Sequence, residues 1–129
     1  MKNYDFALLS GGFDPVHIGH LAMIKEANKI AEEVVILLNS DKWLERKKGK
    51  PFMIESQRAQ ILEEFKSVSK VIVQNDDDDD SSNNAIASFV KNNSKKTICY
   101  CNGGDRSNEK KIREATVCKE YNVDLIFGI

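Results

Sequence analysis

Apolar residues recur along this chain in two alternating rhythms. Short, mostly apolar runs at 6–9, 34–38, 71–73, 97–101 and 123–127 have the length and composition of strands. Between them the apolar positions space out to a helical period. Leu21, Ile24, Ala27, Ile30 and Ala31 form one such set, and Ile54, Ile61, Leu62 and Phe65 another. Ala85, Ile86, Phe89 and Val90 form a third, and a charged helix through Ile112, Ala115 and Thr116 a fourth. A short helix is expected through Trp43 and Leu44.

The run 34–38 has no polar alternation, as in a strand covered on both faces. Strands alternating with helices at this spacing predict an α/β fold, a Rossmann-like, doubly wound, parallel five-stranded sheet in a single domain over 1–129.

At 129 residues the chain is long enough to bury one substantial core. Its net charge of −1 supplies no electrostatic pull toward nucleic acid or an anionic membrane, so neither is expected as a partner. No apolar run is long enough to span a bilayer and no signal peptide opens the chain, so a cytoplasmic location is expected. Three cysteines without such a signal read as reduced thiols. Cys99 and Cys101, two apart in a strand, should face the same side. The five carboxylates at 76–80 repel one another and read as a solvated loop, since a metal cage would need further ligands.

The candidate chemistry gathers at the ends of the strands. Ser10-Gly11-Gly12-Phe13-Asp14-Pro15-Val16-His17-Ile18-Gly19-His20 lies between a strand and a helix. The paired glycines permit close backbone approach to a ligand, and Asp14-Pro15 delays helical geometry. With a helix starting near Val16, His17 and His20 project from one face of its first turn. Open N–H groups at that terminus together with two imidazoles would make a phosphate site.

Asp41 reads equally as a substrate contact or a helix cap. Arg46-Lys47-Lys48-Gly49-Lys50-Pro51 reads as a basic loop, either a solvated surface or a clamp for phosphate. Arg58 falls on an apolar stripe, so it needs an anion: a phosphate, or a salt bridge to Asp14 or Asp41. Gly103-Gly104-Asp105 after the fourth strand is a plain turn or a nucleotide contact.

Gly-x-Phe-Asp-Pro-x-His-x-Gly-His, from Gly11 to His20, resembles the signature of the nucleotidylyltransferase superfamily. Asn39-Ser40-Asp41, Lys48-Gly49, Pro51 and Gly103-Gly104-Asp105 bring the chain near its cytidylyltransferase-like members, the glycerol-3-phosphate cytidylyltransferases and heptose-phosphate adenylyltransferases. The resemblance implies attack by an acceptor phosphate on the α-phosphorus of a nucleoside triphosphate, with release of pyrophosphate.

Carried over residue by residue, it implies catalytic roles for His17, His20, Lys47 and Lys48. It implies nucleotide contacts from Gly11, Gly12, Phe13, Asp14, His17, His20, Gly104 and Asp105. Substrate contacts would come from Asp41, Lys47, Lys48 and Arg58. Mg²⁺ is expected with the triphosphate, and no dedicated protein metal site is expected. The partners implied are CTP or ATP, with CMP transfer favoured, a phosphorylated small molecule, and a second copy in a homodimer. The alternatives are adenylyl transfer to a sugar phosphate, and a nucleotide-binding module without turnover.

Three departures stand out. Many relatives carry Thr or Ser in place of Gly12. Lys66 and Ser69 replace an arginine and an aspartate, and the family's Ser/Thr-rich motif after the last strand is missing.

Overall fold

The structure, a computed structural model, describes residues 2–74, 81–101 and 114–127. Its elements run β1 (Tyr4–Gly11), α1 (Ile18–Ile30), β2 (Ala31–Leu38), α2 (Asp41–Lys48), α3 (Glu55–Glu63) and β3 (Val68–Val73). Then come α4 (Asn83–Asn92), β4 (Ile98–Cys101), α5 (Ala115–Glu120) and β5 (Asp124–Ile126). The five strands form one sheet in the order β3-β2-β1-β4-β5, and every neighbouring pair is parallel. The chain winds outward from β1 to β3, then returns to the other side of β1 with β4. The switch point therefore lies between β1 and β4.

Both faces of the sheet are covered, as the uninterrupted apolar runs required. Ala7 and Leu9 of β1, Val34, Ile36 and Leu38 of β2, and Cys99 and Cys101 of β4 pack with Ile24 and Ala27 of α1 and Leu62 of α3. The alternate residues Leu8, Val35, Leu37, Ile98 and Tyr100 pack with Ile86 and Phe89 of α4 and Cys118 of α5. The fold expectation holds, and all three cysteines are buried free thiols, Cys99 and Cys101 on the same face.

Some boundaries move, each for a physical reason. α1 stops at Ile30 and β2 starts at once, with Ala31 already extended (φ −133°, ψ 148°). Exposed Glu32 and Glu33 hide that start from the hydrophobic pattern. On the edge of the sheet, β3 begins at Val68, where exposed Ser69 and Lys70 likewise mask it.

The larger correction concerns the basic segment. Arg46, Lys47 and Lys48 form the last turn of α2, and the loop begins only after them. Cations there suit the negative end of the helix dipole. Gly49 closes the helix at φ 92°, a conformation that costs a residue with a Cβ far more. Asp76–Asp80, Gly103, Gly104 and Asp105 lie outside the described residues.

Candidate nucleotide site at the carboxyl edge of the sheet

Parallel register brings the ends of three strands level, with Gly11 beside Leu38 and Leu38 beside Val73. The Asn39 N–H donates to Gly11 O and the Gln74 N–H to Leu38 O, so the pairing continues into the loops. Gln74 Nε2 then donates to Asn39 Oδ1 (2.7 Å) and Leu37 O (3.1 Å). The turn after β1 therefore rises from a rigid floor.

The two glycines of that turn answer to packing first. A Cβ on Gly12 would meet Leu44 Cδ2 of α2 at 3.0 Å, and one on Gly11 would meet the Phe13 ring at 3.3 Å. Phe13 is buried with φ 50°, a left-handed backbone that an aromatic residue adopts only when its surroundings enforce it. Its ring lies 4.5 Å from that of His20.

α1 starts at Ile18, two residues later than the spacing alone predicts, because His17 is its N-cap. The Gly19 N–H donates to His17 Nδ1 and the His17 N–H to His20 Nδ1, both at 3.1 Å. The rings stack with centroids 3.8 Å apart and planes 24° from parallel. Two of the amides expected to attract an anion are thus spent on imidazoles.

The consequence is chemical. A ring whose Nδ1 accepts a hydrogen bond carries its proton on Nε2 when neutral. Both Nε2–H groups are therefore donors suited to phosphate oxygens. Burial, then the neighbouring His17, pushes the His20 pKa down to about 4, so this donor is neutral at physiological pH. Gly19 is needed for the same reason: a Cβ there would sit 3.0 Å from His17 Cε1.

Asp14 looks inward. Its carboxylate accepts from the Phe52 and Met53 N–H groups at 2.6 Å each, and Lys48 Nζ lies 2.7 Å away. Burial pushes this carboxyl up. The Lys48 and backbone hydrogen bonds, with the lysine's charge, outweigh it and hold the pKa below the usual carboxylate range. Asp14 thus anchors the loop after α2 rather than presenting an open carboxylate, and Lys48 is tied to it. Lys47 lies over the Trp43 ring, 5.6 Å from its centre.

Arg58 is fully buried beneath the turn. Its Nη1 donates to Gly12 O and Asn39 O (2.7 Å each), its Nε to Met53 O (2.8 Å), and its Nη2 to Asp41 Oδ1 (2.8 Å). Of the two readings open from sequence, this geometry is the salt bridge to Asp41. Asp41 does not cap α2. That role belongs to Ser40, whose Oγ accepts from the Trp43 N–H at 3.1 Å.

His17, His20, Gly11, Gly12, Phe13, Asp14, Lys48, Asp41 and Arg58 thus belong to one connected edge, whereas Gly104 and Asp105 lie outside the described residues. Sequence reasoning missed three members. Glu55 Oε1 accepts from the Asp41 N–H at 2.8 Å. Gln74 braces the floor, and Ser10 Oγ hydrogen-bonds Tyr100 OH across the β1–β4 switch point. Only Gln74, a polar residue closing an apolar run, carried a visible signal.

Among the described residues no three His, Cys, Asp or Glu side chains gather to hold a metal ion. Nor is any described helix long and apolar enough to cross a membrane. Imidazole N–H and ammonium donors suit phosphate oxygens rather than a cation.

Comparison with known proteins bears on the family and the fold. A sequence model of the cytidylyltransferase-like family matches residues 8–127. An FAD synthase from Thermococcus sibiricus is 32% identical over 74 residues, covering 56% of this chain and 50% of that protein. One from Archaeoglobus fulgidus is 35% identical over 66 residues, covering 51% and 47%. The bifunctional protein HldE of Koribacter versatilis is 30% identical over 66 residues, covering 50% of this chain and 14% of its own.

The matched stretch therefore spans about half the length of the FAD synthases. Among solved structures, a lipopolysaccharide core biosynthesis protein from Thermoplasma volcanium superposes with a TM-score of 0.73 at 22% identity, covering 98% of this chain and 97% of that one. A bifunctional NMN adenylyltransferase/ADP ribose pyrophosphatase from Francisella tularensis gives 0.67 at 19%, covering 96% and 37%. At these identities the likeness is one of fold.

Proposed function

The chain belongs to the cytidylyltransferase-like family of nucleotidyltransferases, and on that premise we propose that it transfers a nucleoside monophosphate from a nucleoside triphosphate to a phosphorylated small molecule. The observation that carries this is the stacked pair His17 and His20, each with Nδ1 engaged and Nε2–H left to donate. The acceptor phosphate is already a nucleophile, so no general base is needed. One of its oxygens bonds the α-phosphorus while the bond to the bridging oxygen of pyrophosphate breaks. Neutral donors that meet the charge as it moves onto the leaving group lower the barrier, and their preorganisation is worth most in the transition state.

Lys47 and Lys48 add positive charge at the mouth of the site, Lys48 after exchanging Asp14 for phosphate. Asp41 and Arg58 act on substrate through the turn they hold. Magnesium would be held by the oxygens of the triphosphate itself and would neutralise charge there, since imidazole and ammonium donors favour anions.

The FAD synthase and HldE relatives favour ATP as donor. The FAD synthase name points to a flavin phosphate as acceptor, and the resemblance to heptose-phosphate adenylyltransferases to a sugar phosphate. CTP, the donor favoured from sequence, is the second reading, supported by the match to the cytidylyltransferase-like family. Pyrophosphate release should be measured with ATP and CTP against flavin mononucleotide, sugar 1-phosphates and glycerol 3-phosphate. Release that requires one donor and one acceptor together supports the proposal. Triphosphate binding with no release from any pair would leave a nucleotide-binding module.

A further inference from the structure

Beside the histidine pair, on the α1–α3 side, four large apolar side chains stand in solvent: Ile18 (78% exposed), Phe52 (76%), Ile54 (52%) and Ile61 (41%). Ile18 and Ile61 line a cavity of about 300 Å³ with Leu21, Met53 and Phe65, and His17 forms part of its wall. Phe52 and Ile54 flank Met53 in sequence. Ile18 and Leu21 belong to the first turn of α1, so the hollow begins within ~5 Å of the His17 cap along the helix axis. One imidazole thus belongs both to the phosphate site and to the hollow. A grouped apolar surface that adjoins a polar site in this way is the form of a ligand groove.

We infer that this hollow is the acceptor's second subsite: the acceptor carries a flat, largely apolar ring that lies between α1 and α3 while its phosphate stays at the histidine pair. The role of the occupant rests on the transfer reading above; its place rests on the geometry. A volume of about 300 Å³ is the lower end of small-molecule pockets, enough for one ring system. Among the described residues of the wall His17 alone is polar. The hydroxyls of a sugar or glycerol phosphate would therefore lose water there without finding partners.

Past Ile61 and Phe65 a shallower hollow of about 650 Å³ is edged by exposed Gln60 and Glu64. There the far edge of a ring meets polar groups, a carboxylate that accepts an imide N–H and an amide that donates to a carbonyl oxygen. Of the acceptors proposed above, flavin mononucleotide is built this way, with a phosphate at one end and an imide-edged ring at the other. The loop after α2 is prepared for such a guest. Its Phe52 and Met53 N–H groups are pinned at 2.6 Å to the Asp14 carboxylate, and a backbone fixed in advance loses little entropy when the Phe52 ring packs on the guest.

Fluorescence anisotropy of flavin mononucleotide titrated with the full chain tests this. Wild type should bind it with a dissociation constant below about 100 µM, and riboflavin, which lacks the phosphate, should bind more weakly. Ile61→Asp sets a carboxylate against the ring and should weaken both flavins by at least about tenfold. Phe52→Ser should weaken both by about threefold to tenfold, the scale of one aromatic pair. Both side chains stand in solvent, so urea midpoints should change little, and triphosphate affinity should stay within about twofold.

No anisotropy change with either flavin up to about 1 mM chain, or variants that bind them as wild type does, would overturn the inference. So would a loss confined to flavin mononucleotide, which would place the effect at the phosphate. Binding is read without turnover, so the two failures are distinguishable. Pyrophosphate release with glycerol 3-phosphate and no flavin binding would overturn the ring subsite and keep the transfer reading. Flavin bound in the hollow with no release from any pair would do the reverse.

Discussion

Replacing Arg58 with Met keeps most of the buried aliphatic volume and deletes the guanidinium that ties three segments together. The side chain is fully buried, and its four hydrogen bonds reach Gly12 O, Asn39 O, Met53 O and the Asp41 carboxylate. Removing one partner of a buried ion pair costs about 3–5 kcal/mol, because the remaining polar groups lose their partner without regaining full hydration. Asp41 retains some access to water, its side chain 28% exposed, which places the cost near the lower end, at about 3 kcal/mol.

Against a total stability of about 5–15 kcal/mol this is a large fraction. With a urea m-value of about 1–3 kcal/mol/M, the midpoint should fall by roughly 1–3 M. Arg58→Lys should recover little, since an ammonium cannot reproduce the planar fork. The double cycle with Asp41→Asn should show coupling above about 1 kcal/mol. A loss below about 1 kcal/mol for Arg58→Met, or additive effects in the cycle, would refute the tie.

Gly19→Ala should unseat the His17 ring, which lies 3.0 Å from the added Cβ, and cost about 1 kcal/mol as the helix loses its cap; unchanged urea stability would contradict this. Because the His20 pKa is about 4 when folded, against about 6.5 unfolded, the unfolded chain takes up the proton first. Its contribution to stability is complete above pH ~6.5 and drains away as the pH falls toward ~4. Urea midpoints between those limits should therefore fall more steeply for wild type than for His20→Gln, and equal slopes would count against the buried neutral imidazole. Asp14, with its pKa held down, contributes stability above its unfolded value, lost as pH falls through the lower folded one. Lys47→Ala with Lys48→Ala should weaken triphosphate binding more than nucleoside binding, with reduced salt dependence. Equal loss for both ligands would reduce the pair to surface charge.

The parts of the fold that could be read from sequence are those written in local pattern. The runs 6–9 and 34–38 and the helix after His20 follow from periodicity alone. The basic segment was harder, because its lysines read as a loop by charge. Their place in a last helical turn emerges only once Gly49 is taken as the stop. At the site, the glycine turn and both histidines were visible by spacing. What the histidines do to one another was not, since a reciprocal cap depends on where the helix begins to within one residue. Arg58 announced a need for an anion, but its choice of Asp41 over Asp14 depends on packing between α2 and α3. Asp14, in turn, is held by Phe52 and Met53 N–H groups some forty residues away, a contact without side-chain signature in the sequence.

The most direct test of the central claim compares wild type with His20→Ala in pyrophosphate release at saturating triphosphate and acceptor. Folded fraction is measured in parallel, because both histidines also cap α1. If Nε2–H meets charge as it moves to the leaving group, turnover per folded molecule should fall on the order of a hundredfold. Triphosphate affinity should change by only a few-fold. Turnover per folded molecule within about threefold of wild type, with the loss confined to stability, would contradict it and leave the stacked pair as a helix cap.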